Sequence, residues 1–311
     1  MSYVVYPVLG HLVSWLQLSQ SLCRLKFAAT VYKAINIINR RNYAIKLEPV
    51  HHGKPSSLEQ ESCILNHLHE GTAVGIPHVH WFGRESNFDT LVLDLLGPSL
   101  QNLVTLRERF NIITVQHVGD QLVSFMYAKV VSYSSLMAFQ LSSLQYIHSR
   151  GYVHGDVQPF NILIGVDPSP AVFLVDFGLS KPYRHLTTGK HVPFRWKCDL
   201  TGTPTFASIN GHLGGETGRR DDLESMVYVL IYLLSGSLPW LQICPHKKPT
   251  PFTVLKLKQT TAVEQLCSKY NAPELATMLL YARMFSFTDT PNYDYMCYLL
   301  RSAVPQAIGD T

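Results

Sequence analysis

The chain has 311 residues, 46% of them hydrophobic and 15% charged, with a formal net charge of +4. That length suffices for one large or two modest domains with buried cores, and the composition excludes a chain that is disordered throughout. The mild positive charge favours acidic peptides or phosphates as partners and gives no reason to invoke nucleic acid. The six cysteines are scattered with no CxxC pair, which points to free thiols in a reducing compartment, cytoplasmic and/or nuclear. The dyads His67-x-His69 and His78-x-His80 have no cysteine or carboxylate at ligand spacing and read as ordinary histidines. Residues 1–18 contain no charged side chain, yet Pro7 and His11 interrupt the run and a basic start is missing, so a signal peptide is not expected.

Residues 1–25 stay unassigned. From there Thr30–Ala34 and Tyr43–Leu47 read as the strands of a hairpin, and Ser57-Leu58-Glu59-Gln60 supplies a capping box for a helix. On that helix Leu58, Glu61, Leu65 and Leu68 share one face, and a glutamate on an apolar face is costly unless paired. Lys46 has the same difficulty inside an alternating apolar strand. Either the two pair, or each snorkels to solvent. After Leu91–Leu96 the turn Gly97-Pro98-Ser99 suits a hinge. Helical periodicity then dominates, most clearly at Leu223, Met226, Val227, Leu230, Leu233 and Leu234, the core face of a helix beginning near Asp221 or Asp222. Between these regions Ile162-Leu163-Ile164 and Val172-Phe173-Leu174-Val175 read as a small hairpin.

Three segments in fixed order point to chemistry: Tyr43-Ala44-Ile45-Lys46, His154-Gly155-Asp156-Val157-Gln158-Pro159-Phe160-Asn161, and Asp176-Phe177-Gly178. A strand lysine, a loop aspartate, and an asparagine and second aspartate downstream are the parts of a phosphoryl-transfer site of the protein kinase type. With these segments present, pairing of Lys46 with Glu61 is the expectation.

Further stretches narrow the resemblance. Leu95-Leu96-Gly97-Pro98-Ser99-Leu100, Tyr146-Ile147-His148-Ser149, Leu200-Thr201-Gly202-Thr203, Ala207-Ser208-Ile209-Asn210, Arg219-Arg220-Asp221-Asp222-Leu223-Glu224-Ser225 and Gly236-Ser237-Leu238-Pro239-Trp240 closely resemble the casein kinase I family over about residues 26–302. Ser208-Ile209-Asn210 is the most specific, since most kinases have Ala-Pro-Glu there. The resemblance implies an α+β, bilobal protein kinase-like fold over 26–304, with a β-rich lobe at about 26–94 and a helical lobe at about 98–304. It implies an ATP- and Mg2+-dependent serine/threonine kinase, monomeric, acting on protein substrates of acidic character, without nucleic acid or membrane. Lys46 would hold the ATP phosphates and Glu61 would orient it. Asp156 would align the acceptor hydroxyl, and Asn161 and Asp176 would hold the metal. Leu93 would be the gatekeeper, Asp94, Leu95 and Leu96 the adenine hinge and Leu163 the floor under the ring, with Val31 and Ala44 completing the cofactor-binding set.

Three departures from the family stand out. No glycine occurs between Gly10 and Gly53, so the stretch Lys26–Val31 lacks the Gly-rich loop whose backbone N–H groups approach phosphate. Gln158 replaces the catalytic-loop lysine, which by analogy with one lost oxyanion donor costs on the order of 10²–10³ in rate; Gly155 replaces an arginine. Gln158, Gly155 and the absent glycines favour a pseudokinase, a nucleotide- or partner-binding scaffold with little turnover, as the alternative. Finally, Val123–Gln140 has no counterpart in the family, and joining Leu122 to Leu141 restores the family's helix in register. Its ends, Val-Ser and Phe-Gln, can be encoded by splice-site-like sequences, so a retained short intron competes with a genuine helical insertion. Lys129 and several serines argue against a membrane span there.

Overall fold

The computed structural model describes residues 16–24, 29–50, 55–109, 133–166, 172–242, 249–267 and 273–302. The chain divides into two compact units, 1–97 with 164–178, and 98–163 with 179–311. The first is built on an antiparallel sheet and the second on helices, an α+β architecture.

In the first unit, strands β1 (Leu16–Arg24), β2 (Thr30–Asn36), β3 (Asn42–Pro49), β4 (Val79–Glu85) and β5 (Phe88–Asp94) form one sheet in the order β1-β2-β3-β5-β4. The expected hairpin is β2–β3, with Val31 opposite Lys46 and Lys33 opposite Ala44. Residues 16–24, which the sequence reading left unassigned, add an edge strand antiparallel to β2. One face of the sheet buries Leu16, Ala34, Tyr43, Ile45 and Val92 together, with Leu18, Leu47 and Trp81 packed against them. Side chains alternate along a strand, so Ala44 and Lys46 point to the opposite face from Tyr43 and Ile45.

Helix α1 (Ser57–Leu68) packs against β4 and β5 and buries Leu58, Glu61, Leu65 and Leu68, the face read from the sequence. Its cap lies one residue earlier than expected. Ser56 Oγ accepts the Glu59 N–H, while Ser57 Oγ donates to Glu48 Oε2 on β3 at 2.8 Å. Both serine hydroxyls donate to Glu48, Ser57 at 2.8 Å and Ser56 only at 3.5 Å, and it is Ser56 that also caps the helix.

The second unit begins at Pro98. Its helices are α2 (Leu100–Arg109), α3 (Tyr133–Ser149), α4 (Ile209–His212), α5 (Arg219–Ser235), α6 (Pro239–Gln242), α7 (Pro251–Thr260), α8 (Val263–Cys267), α9 (Pro273–Met284) and α10 (Tyr293–Ser302). Short strands β6 (Tyr152–Val153) and β9 (Lys181–Pro182) pair in this unit. The remaining strands, β7 (Ile162–Ile164) and β8 (Val172–Leu174), lie where the apolar runs placed them.

Helix α5 starts two or three residues before the expected point, because Asp221 accepts the Gly218 N–H at 2.7 Å and so serves the helix from inside its first turn. It ends at Gly236, whose φ of +71° is the left-handed stop that glycine adopts without strain. Nearly every residue from Arg219 to Leu233 is buried, so this is a central helix, apolar face and flanks alike. Leu234, read as part of the core face, is exposed instead.

The suspected insertion falls partly outside the described residues, which resume at 133. Residues 133–140 form the first two turns of α3, continuous with the segment that buries Leu141, Leu144 and Ile147 and packs against α10. Residues 123–132 lie outside the described residues, so the retained-intron reading rests on the sequence resemblance, by which deletion of Val123–Gln140 joins Leu122 to Leu141. We expect the deletion to raise Tm, by about 2–4 °C for each kcal/mol regained. An unchanged or lower Tm in a thermal melt would contradict this reading of the segment.

Candidate active site

The first unit brings together three of the residues singled out in the sequence. Lys46, on the α1 side of β3, is 6% exposed and donates to Glu61 Oε2 at 2.6 Å and to Asp176 Oδ1 at 2.7 Å. Glu61 is 1% exposed and also accepts the Phe177 N–H at 3.2 Å, so one carboxylate ties α1 to the strand and to the Asp-Phe-Gly segment. Burial alone would push the Lys46 ammonium down; the two carboxylates outweigh it and hold its pKa above the ordinary lysine value. Burial pushes Glu61 up, with Lys46 opposing. Asp176 sits at φ +68°, a region that costs a non-glycine residue about 1 kcal/mol, and its bond to Lys46 helps to hold it there.

Around this cluster the sheet sets the other candidates. Val31 is opposite Lys46, and Ala44 is opposite Leu93. The Asp94 side chain is occupied, accepting the His78 N–H at 2.9 Å and bonding His80 Nε2 at 2.6 Å. The Asp94 N–H donates to His78 O at 3.3 Å, so within the hinge the N–H groups on offer come from Leu95 and Leu96. The histidine dyads thus form a local network: His69 stacks on His78 with ring centroids 3.8 Å apart. Among the described residues no group of three or more His, Cys, Asp or Glu side chains is placed to hold a metal ion.

The second unit gathers Asp156, Gln158 and Asn161. Asp156 is 6% exposed, and both its carboxylate oxygens accept bonds: Oδ1 from the Thr203 N–H at 2.7 Å, Oδ2 from Gln158 Nε2 at 2.8 Å and from Asn161 Nδ2 at 3.3 Å. Asn161 Nδ2 also donates to Asp156 O at 2.9 Å, so its amide nitrogen is committed to Asp156 and its Oδ1 remains an acceptor. Leu163 lies on β7, bridged to Ser99.

Sequence reasoning missed the support beneath this loop. Asp222, on α5, accepts the N–H groups of His154 and Gly155 at 2.7 and 2.9 Å and bonds His148 Nε2 at 2.9 Å. His148 in turn bonds the Tyr293 hydroxyl at 2.6 Å. Burial raises the Asp222 carboxyl, but His148, His154 and the loop amides outweigh it and hold it below its ordinary value. The available signal was an aspartate just before the apolar core face of this helix, among the charged residues of its first turn.

Two glycines are fixed by geometry. Gly155 has φ +81° and lies where a Cβ would be 3.0 Å from Leu179 O, so the missing arginine is replaced by a residue that relieves strain. Gly202, at φ +77°, is tighter still: a Cβ would be 2.6 Å from Gly155 O and 3.1 Å from Asp156 Oδ1. We expect Gly202→Ala to lower stability by about 1–3 kcal/mol and to displace the Thr203 N–H from Asp156. A urea melt with an unchanged midpoint would contradict it.

A buried lysine–glutamate pair on a strand and helix, with an Asp-Phe-Gly aspartate on the same lysine, and a loop aspartate beside an asparagine define a protein kinase domain. Residues 27–282 match the protein kinase domain family, and the chain belongs to that family. No helix among the described residues is long and apolar enough to cross a membrane.

Proposed function

We propose that the chain is an ATP-dependent serine/threonine protein kinase of casein kinase I type. The observation that supports it most is the buried Lys46–Glu61 pair with Asp176 on the same ammonium, at 2.6 and 2.7 Å. Burying that many charges is costly unless the geometry is used, and an ammonium so placed binds phosphate oxygens. The Asn161 amide oxygen and the Asp176 carboxylate are hard oxygen donors of the kind magnesium takes, so the residues present fit ATP with Mg2+. The metal, when bound, neutralises charge on the phosphates. Lys46 would bind phosphate oxygens, Glu61 would hold Lys46 in place, and Asp156 would accept a hydrogen bond from the substrate hydroxyl and align it. Leu93, Leu95, Leu96, Val31 and Ala44 would contact the adenine end, and the resemblance gives Leu163 the place under the ring.

A second reading, a nucleotide- or partner-binding pseudokinase with little turnover, is favoured by one observation. Gln158 brings no positive charge and spends its amide on Asp156 at 2.8 Å. Incubation with γ-labelled ATP and casein, followed by phosphoamino-acid analysis, separates the readings. Label on serine or threonine supports the kinase; label on tyrosine contradicts the assigned specificity; stoichiometric nucleotide binding without transfer supports the scaffold.

Substrate choice follows from the activation segment. The resemblance places Thr205 where the casein kinase I family has an arginine that binds a phosphate already on the substrate. A threonine hydroxyl replaces a charged, bidentate fork, so we expect only a weak preference for phosphate-primed peptides. Peptides with and without phosphoserine three residues before the acceptor should differ in kcat/KM by less than about threefold. A large primed-over-unprimed ratio that vanishes at high salt would show that another basic group takes this role.

A further inference from the structure

Lys258, on α7, is 1% exposed, a rare state for a lysine. Its Nζ lies 4.5 Å from the Tyr228 ring centroid and 5.1 Å from that of Trp240. It donates to Ala207 O at 2.5 Å and to Pro204 O at 3.0 Å, and lies 3.5 Å from His212 Nε2. The other charged groups facing it are Glu224 and Arg283, which pair with each other at 3.2 Å. Trp240 Nε1 donates to Thr205 O at 3.0 Å. The carbonyls of Pro204, Thr205 and Ala207 are therefore all held by side chains, Ala207 O by Lys258 and Pro204 O by Lys258 together with His212 Nε2 of α4 at 2.9 Å.

This arrangement costs the fold something. Burial, opposed by Glu224 and reinforced by Arg283, pushes the Lys258 ammonium down to about 7, and an apolar side chain of the same length would avoid that penalty. What the lysine secures is next in the chain. The residue before Pro204 is Thr203, whose N–H donates to Asp156 Oδ1 at 2.7 Å, and Gly202 packs against Gly155 O and Asp156.

We propose that Lys258 is a positioning residue: by clamping the carbonyls of Pro204 and Ala207 it holds the Thr203 N–H on Asp156, and so fixes both the carboxylate that aligns the acceptor hydroxyl and the backbone edge offered to a substrate peptide. The functional part of this inference rests on the kinase reading of Asp156; the clamp itself does not.

The test measures hydrogen exchange at the Thr203 amide in the full chain, comparing wild type with Lys258→Met and Lys258→Gln. Methionine keeps an apolar side chain of similar length but donates to neither carbonyl; glutamine still has N–H donors but a shorter reach. Exchange at Thr203 should quicken by about tenfold in Lys258→Met and by less in Lys258→Gln, with the amides of α5 unchanged. In turnover assays kcat should fall while KM for ATP holds, because the loss falls on Asp156 and not on Lys46. Should Lys258→Met fail to fold, Lys258→Gln supplies the same comparison. Unchanged Thr203 exchange in a folded variant overturns the proposal, whatever the turnover. Quickened exchange in a chain whose wild type transfers no phosphate leaves the clamp standing and removes the kinase reading instead.

Discussion

Lys46→Met should abolish phosphate transfer and also destabilise the fold by about 3 kcal/mol, near the lower end for breaking a buried ion pair. The variant leaves Glu61 and Asp176 facing each other without a cation. Glu61 is the more deeply buried and is already pushed up by burial, so it would take up a proton, which limits the loss. The pH dependence has a definite sign. The folded Lys46 pKa lies above its unfolded value of 10.5, so its contribution is fully present below that value and is lost only as pH rises through the folded one. Any pH trend in the deficit between about pH 6 and 9 would therefore not come from titration of the lysine, and the group that burial pushes up is Glu61. Urea unfolding of wild type and variant measures both effects. A variant as stable as the wild type would mean that the charges at this site are not paired in solution.

Gln158→Lys should raise kcat by on the order of 10²-fold, with KM for ATP within about threefold of the wild type. Gln158 donates to Asp156 Oδ2 at 2.8 Å and is itself buried, so it already occupies a place from which a longer cationic side chain would reach toward the transferring group. The γ-phosphoryl group is anionic throughout, but its charge is redistributed as it moves between oxygens, and a new cation that meets it best at that stage lowers the barrier more than it tightens nucleotide binding. Steady-state kinetics on casein check this. A variant whose kcat is unchanged would show that Gln158 does not limit turnover; one whose KM for ATP falls in proportion would show that the lysine acts on bound nucleotide in general.

Much of the site was legible because its residues violate the pattern of the elements that hold them. Lys46 interrupts an alternating strand and Glu61 an apolar helix face, and each makes sense only with the other, as their 2.6 Å bond shows. Strand β1 was legible in principle: Leu16 and Leu18 alternate with Gln17 and Ser19, and Leu16 enters the core. The long uncharged stretch before it masked that short alternation. Bonds made far along the chain left no local trace. Nothing near Gln158 foretells that its amide is used by Asp156, and nothing near His148 foretells Asp222, 74 residues on. Lys258 left a partial sign, standing four residues after buried Val254 on the same helix face. A lone lysine on such a face usually snorkels; here the carbonyls of Pro204 and Ala207 come to meet it.

The measurement that bears most directly on the central reading is transfer of labelled phosphate to casein by the full chain beside Asp156→Asn, with matched purification. Asparagine preserves the size of the side chain and an acceptor for the Thr203 N–H while removing the charge that aligns the acceptor hydroxyl. We expect measurable transfer by the wild type and its loss in Asp156→Asn, with ATP binding retained. Equal signal from the two proteins would contradict the assignment of Asp156 as the residue that aligns the reacting hydroxyl.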